Sequence, residues 1–417
     1  MQAPDVSVTP VASHTKSGPR SASLDGLRGL AALAIFAFHG WLYTMPEPNA
    51  TDRSSVGEYA VHELRLALVA FFVLSGFLLF RPWIAAVLEQ GRAPDVRRYM
   101  RARAARVLPA YYLALVGSVA LLWGLRGTPG LRLPPAEELP LYLFFAQNFS
   151  PASVMKLNPP MWSLAVEVMF YALLPLVGWL ALRLAPRRRT QALVPLALLA
   201  IGMLYNWTIA GQGLGMTFSK TLAAMLPYFA LGMLAALVVY GRVIELRAKR
   251  MLLAAGAVLV VVDAFAKGAA PANGIDATPV FAVVRDLPSG IGFALIVGAL
   301  AAAPEGRVLG GRVLATVGMI SYGFYLWHVP VLILLRGHGL LPLDPVLGSA
   351  VAFFPSLALA ALSWAACERP VLRWNARRER RRSEREELLR RRGAGGRELA
   401  GAGGREAGGR EVSTVRA

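Results

Sequence analysis

Two ionisable side chains stand out in SLDGLRGLAALAIFAFHGWLY, the stretch from Ser23 to Tyr43: Arg28 and His39, eleven residues apart in apolar surroundings. On an α-helix eleven steps of 100° end about 20° past three full turns, so both side chains face the same way, with His39 about 16 Å further along the axis. An imidazole is suited to moving a proton near neutral pH, and a guanidinium to holding a phosphate or carboxylate. Asp25, three residues before Arg28, is placed to pair with it. A plainer reading makes Arg28 an anchor at a membrane edge and His39 a satisfied interfacial histidine; the flanking Phe36, Phe38 and Trp41 favour a functional His39.

Three further clusters carry polar groups where few are expected. After Pro159–Pro160, which suit a helix start, MWSLAVEVMFYALLPL places Ser163 and Glu167 four residues apart on one helical face. By depth in its span, Glu167 could orient the His39 imidazole and raise its basicity; the alternative is a packing hydrogen bond to another group. SYGFYLWHVPVL sets Ser321, Tyr325 and His328 at i, i+4 and i+7, a polar stripe read as the wall of a cavity. VRRYMRARAARVLPAYY packs Arg97, Arg98, Arg101, Arg103 and Arg106 ahead of a helix. Such a row serves either as a topology signal or, because guanidinium groups grip phosphates bidentately, as a dock for a polyphosphate ligand. No Walker loop, G-x-G-x-x-G or metal-ligand spacing is present. His14, His62 and His338 fall in a tail or loops without a role, and Cys367 reads as a packing residue.

The elements that must carry these groups follow from composition. The chain has 417 residues, 56% hydrophobic and 17% charged, with a formal net charge of +19. Soluble domains average roughly 45–50% apolar and about 25% charged. The apolar content excludes a disordered chain and argues against a nucleic-acid binder, and a single cysteine excludes a disulfide scaffold. A polytopic all-α membrane bundle accounts for both numbers. Ten apolar runs approach spanning length: 24–44, 61–80, 107–125, 161–182, 191–209, 221–240, 251–266, 286–303, 313–336 and 347–367. Leu139–Phe149 is too short and reads as interfacial or re-entrant. With both termini in the cytoplasm, most of the 44 Lys and Arg fall on the cytoplasmic side, as the positive-inside rule requires. Residues 1–22 read as a disordered cytoplasmic tail, 23–372 as the transmembrane domain, and 373–417 as a basic tail, first helical and then disordered, with lipid contact as its sharper reading.

These clusters, in this order, resemble the membrane acyltransferase 3 family over about residues 22–372. The likeness rests on LDGLRGLAALAIFAFH with its Arg-x10-His, on FFVLSGFLL at Phe71–Leu79, and on RARAARVLPAYY, WSLAVE, SYGFYLWH and the ERP of Glu368–Pro370. One departure is Val168, where family members often carry a second acid after Glu167. The resemblance implies an O-acyltransferase of the cell inner (plasma) membrane. It would move an acyl group, often acetyl, from acyl-CoA (acetyl-CoA) to a hydroxyl on a sugar, glycan, lipid-linked or glycosylated natural-product acceptor such as a macrolide. It needs no metal or nucleic acid, and membrane lipids surround it. His39 then resembles the family's essential histidine, acting as general base, and Arg28 its essential arginine, with Glu167 beside them. Arg103 and Arg106, with Arg28, would hold the phosphates of acyl-CoA; Asp25, Ser163, Tyr325 and His328 would meet substrate. A rival class is a secondary transporter with a buried Arg/His/Glu site, against which stands the lack of a second copy of LDGLRG…H.

Overall fold

The computed structural model describes residues 21–47, 56–212, 215–269, 280, 284, 286–302 and 309–385. Among them there is no strand. Ten long helices follow one another: α1 Ala22–Thr44, α2 Ala67–Leu88, α3 Val96–Leu122, α4 Met161–Arg183, α5 Arg188–Gly211, α6 Leu222–Val239, α7 Leu246–Ala269, α8 Leu287–Ala302, α9 Arg312–Gly337 and α10 Pro345–Ser363. Each expected apolar run maps onto one of them. Seven helical stretches in the described residues are long and apolar enough to cross a membrane. Among the others, α1 carries Asp25, Arg28 and His39, which lower its apolar character, and α8 has only 16 residues.

Three boundaries differ from the sequence expectation. The second run begins as a short helix, Val56–Glu63, and one 3-10 turn, Leu64–Leu66, before α2 proper, so its apolar helix reaches Leu88 rather than residue 80. The arginine row does not precede α3 but forms its first three turns, because Asp95 caps the helix by accepting from the Arg98 amide at 3.1 Å. That backbone hydrogen bond, first among several contributions, holds the Asp95 carboxyl below its ordinary range. At the other end, α10 passes through a π-helical turn at Trp364–Glu368 and continues as helix to Arg385, so the boundary expected at residue 372 lies inside a continuous helix. Most of the two expected tails, 1–20 and 386–417, lies outside the described residues.

Close helix crossings rest on glycine. A Cβ at Gly26 would collide with the Leu309 carbonyl, and one at Gly318 with the Asp25 carbonyl, so α1 and α9 approach backbone to backbone beside the residues of interest. α2 crosses α6 in the same way at Gly76 and Gly232.

The segment between α3 and α4 is a folded-back loop. It contains the short helix Leu139–Leu143 and buries Gln147, Asn148, Ser153 and Asn158. Phe145, Met155 and Leu157 adopt positive φ, a costly conformation for such side chains that persists only when neighbours over-determine it. Here they do. Asn148 donates to the Trp162 and Lys220 carbonyls at 2.8 Å each, Tyr142 to the Ser153 carbonyl at 2.7 Å, and the Leu157 amide to the Arg132 carbonyl at 2.6 Å. Asn158 donates to the Leu326 carbonyl at 2.9 Å. That carbonyl is free because the residue four positions on, Pro330, has no N–H to bond it.

Candidate active site

Two cavities enter the bundle from opposite ends and share three wall residues, Leu68, Phe72 and Tyr325. The first, about 520 Å³, is lined by the N-terminal parts of α1, α3 and α9, the helical continuation of α10, and the N-terminal halves of α2 and α4. The second, about 380 Å³, is lined by His39 near the end of α1, the start of α2, the loop residues Met155, Pro159 and Pro160, and the facing ends of α5 and α6. Tyr325 stands between them. Its hydroxyl is 2.7 Å from Ser163 Oγ and donates to the Pro160 carbonyl at 3.2 Å.

The arginine row divides in two at the first cavity. Arg98 and Arg101 are ion-paired to Glu379 on the continuation of α10, at 2.7 Å for Arg98. Arg103 and Arg106 line the cavity and meet only rings, Arg103 over Tyr171 at 6.0 Å and Arg106 over Trp364 at 5.9 Å. Neither forms an ion pair among the described residues, though the buried Glu368 carboxylate lies near enough to Arg106 to interact with its charge. Arg28 lines the same cavity and pairs with Asp25 at 3.2 Å, as its spacing predicted. A charged mouth with two guanidinium groups outside any ion pair suits a polyanion.

Glu167 also belongs to the first cavity. Ser75 and Tyr171 both donate to its Oε1, at 2.7 and 2.6 Å. Of the two readings open for Glu167, the hydrogen bond to other polar side chains is the one that forms, and the pairing with His39 does not. α4 runs from the second cavity towards the first, and the Ser163–Tyr325 contact sits one turn before Glu167, so the carboxylate points away from the histidine. Depth along a span was the only signal the sequence supplied for a pairing, and depth does not give direction.

The partner of His39 is His328. His328 Nε2 lies 3.0 Å from His39 Nδ1, with ring centroids 4.9 Å apart. His328 is buried, flanked by Phe36, Phe324 and Tyr325, while His39 is half-buried and reaches the second cavity. The polar stripe on α9 thus splits: Ser321 faces the first cavity, Tyr325 both, and His328 the imidazole. Sequence reasoning placed His328 on a cavity wall and missed this contact, which joins residues 289 positions apart.

Other groups at the second cavity had no usable sequence signal. Arg65 pairs with Glu63 at 2.9 Å and with Asp286 at 3.4 Å, and Glu63 also meets His62 at 2.8 Å. His62, expected to be an idle loop residue, is helical and packs against Phe38 and Trp41. Lys220 lies 4.4 Å above the Trp162 ring. Among the described residues no group of three His, Cys, Asp or Glu is arranged to hold a metal ion.

A family model described as an acyltransferase domain matches residues 21–365. The chain is 24% identical over 372 residues, 84% of its length, to the O-acetyltransferase OatA of Staphylococcus aureus. To the acyltransferase MdmB of Streptomyces mycarofaciens it is 29% identical over 174 residues, 40% of its length. It spans 56% of the first relative and 42% of the second. No solved structure matches it.

Proposed function

The chain belongs to the acyltransferase 3 family, and from that premise we propose that it is an integral membrane O-acyltransferase using cytoplasmic acyl-CoA, acetyl-CoA in the simplest case. The acceptor would be a hydroxyl of a sugar, glycan, lipid-linked or glycosylated natural product. The observation that carries this reading is the pair of cavities meeting at Tyr325, with unpaired arginines at one and His39 at the other. Names of the relatives point the same way, one an O-acetyltransferase and one an acyltransferase. They favour transfer over the transporter alternative.

The chain would cross the inner (plasma) membrane ten times with both ends cytoplasmic. In support, the first cavity takes the N-terminal ends of α1, α3 and α9 and the helical continuation of α10, as alternating helices require. Its mouth also carries the arginine row, on the side the positive-inside rule calls cytoplasmic.

The proposed reaction makes use of these positions. Arg103, Arg106 and Arg28 hold the phosphates of acyl-CoA, and the pantetheine arm runs along α1 past Glu167 towards Tyr325. The acceptor hydroxyl occupies the second cavity beside His39. As its oxygen attacks the thioester carbonyl, His39 takes its proton. The C–O bond forms, the tetrahedral intermediate collapses with loss of the C–S bond, and His39 returns the proton to the CoA thiolate. Tyr325 would donate to the oxyanion by turning its hydroxyl from the Pro160 carbonyl, which Ser163 also reaches at 3.0 Å.

Membranes carrying the protein are incubated with radiolabelled acetyl-CoA and fractionated extracts of envelope glycans and secreted metabolites. Label is expected in one acceptor fraction and absent with His39→Ala at equal expression. Wild-type labelling by His39→Ala overturns the assignment.

A further inference from the structure

The two histidines form a chain of contacts that admits one consistent placement of protons. His328 Nδ1 lies 3.1 Å from the Phe324 carbonyl oxygen, which can only accept. Nδ1 of His328 therefore carries its hydrogen, and in the neutral ring Nε2 keeps a lone pair. That lone pair meets His39 Nδ1 at 3.0 Å, and His39 Nδ1 is also 3.0 Å from the Ile35 carbonyl oxygen. Both neighbours of this nitrogen are acceptors, so it too carries a hydrogen. The remaining nitrogen of His39, Nε2, is left unprotonated. Any other neutral assignment sets two lone pairs against each other at one of these contacts.

We propose that His328 is a positioning residue that, together with the Ile35 carbonyl, holds His39 in its Nδ1–H tautomer, leaving the Nε2 lone pair free as the base. This rests on the reading of His39 as the group that takes the acceptor's proton. The arrangement has a chemical consequence. When Nε2 is protonated during transfer, Nδ1–H still donates to His328 Nε2, so no other proton has to move and the imidazolium keeps an acceptor beside it. The surroundings leave His328 little freedom: it is 1% exposed and enclosed by Phe36, Phe324 and Tyr325. The Asn158 bond to the Leu326 carbonyl fixes the adjacent turn of α9. The sequence shows two histidines on separate helices; the geometry makes them one unit.

Nitrogen-15 spectra of histidine-labelled protein in lipid nanodiscs test this directly. The chain has only 5 histidines, and His39→Gln assigns the signal. In the wild type His39 is expected to show a protonated Nδ1 and an unprotonated Nε2, and in His328→Leu a shift towards the Nε2–H form. An Nε2–H tautomer in the wild type, or an unchanged spectrum in His328→Leu, overturns the proposal. Kinetics supply the second arm. Leu offers no acceptor and lowers kcat on the order of 100-fold with an unchanged KM for acetyl-CoA, whereas Gln, whose amide oxygen accepts from Nδ1–H, recovers at least about tenfold. Equal losses for Leu and Gln reduce His328 to a packing role and overturn it. Full transfer by His39→Ala removes the catalytic assignment instead, and the spectra still decide the tautomer.

Discussion

Removing the guanidinium groups of Arg103 and Arg106 should weaken acyl-CoA binding in a way that depends on the donor's phosphates. A charge-assisted hydrogen bond contributes about 1.5–3 kcal/mol. Both side chains are half-buried, so screening by salt lowers the expected loss to about 1–2 kcal/mol each, roughly 5- to 30-fold in KM. Arg98 is the control. It is 53% exposed and already held by Glu379, so Arg98→Gln should cost under ~1 kcal/mol and change KM by less than about fivefold. The assay compares acetyl-CoA with S-acetylpantetheine, which carries the same thioester and no phosphate. The wild type should prefer acetyl-CoA, and the Arg103→Gln/Arg106→Gln double variant should lose most of that preference while kcat with S-acetylpantetheine stays near wild type. A double variant that retains the preference, or raises KM equally for both donors, refutes the phosphate dock.

Two predictions concern buried hydrogen bonds. Glu167→Ala strips Ser75 and Tyr171 of their shared acceptor, at a cost of about 1–3 kcal/mol for each group left unsatisfied. It should lower the unfolding temperature in detergent, whereas Glu167→Gln, which keeps an amide oxygen there, should largely restore it; an Ala variant as stable as wild type sinks this account. Asn158→Leu orphans the Leu326 carbonyl beside Pro330 and should cost a similar ~1–3 kcal/mol in thermal stability. An unchanged unfolding temperature would show that water or backbone relaxation satisfies that carbonyl instead.

Much of the helical layout was legible because each apolar run announces itself locally: hydrophobic content over about twenty residues needs no partner to be recognised. The pairing of Asp25 with Arg28 was legible for the same reason, since three residues on one helix fix the geometry. What depth left open was which groups meet. Glu167 and His39 lie at similar depths, which allowed either a pairing or a packing hydrogen bond for Glu167, and the second forms, with Ser75 and Tyr171. The loop from Leu139 to Pro160 was hidden as well, because it folds back onto distant elements. Its hydrogen-bond partners, Trp162, Lys220 and Leu326, belong to elements spread along the chain. Its positive-φ residues are Phe, Met and Leu, types that give no local sign of such a backbone.

The arginines make the same point about site residues. Arg188, near one end of α5, reads as a topology signal no different from Arg106. In the structure its guanidinium donates to the Leu237, Val238 and Tyr240 carbonyls and so closes the C-terminal end of α6. Arg336 does this for α1 through the carbonyls of Tyr43, Met45 and Pro46. Arg98 and Arg101 are held by Glu379. Arg103 and Arg106 differ from all four in resting on aromatic faces without an ion pair or hydrogen bond among the described residues, Arg106 having only the more distant charge of buried Glu368. A half-buried positive charge without a direct partner is costly unless a ligand supplies one. Density of arginine in the sequence therefore marks the region, but the missing partner marks the residues, and only the fold reveals which partners are missing. The same logic separates the histidines: His62 has Glu63, His328 has the Phe324 carbonyl, and His39 alone of the three presents a ring nitrogen to a cavity with its other nitrogen already committed.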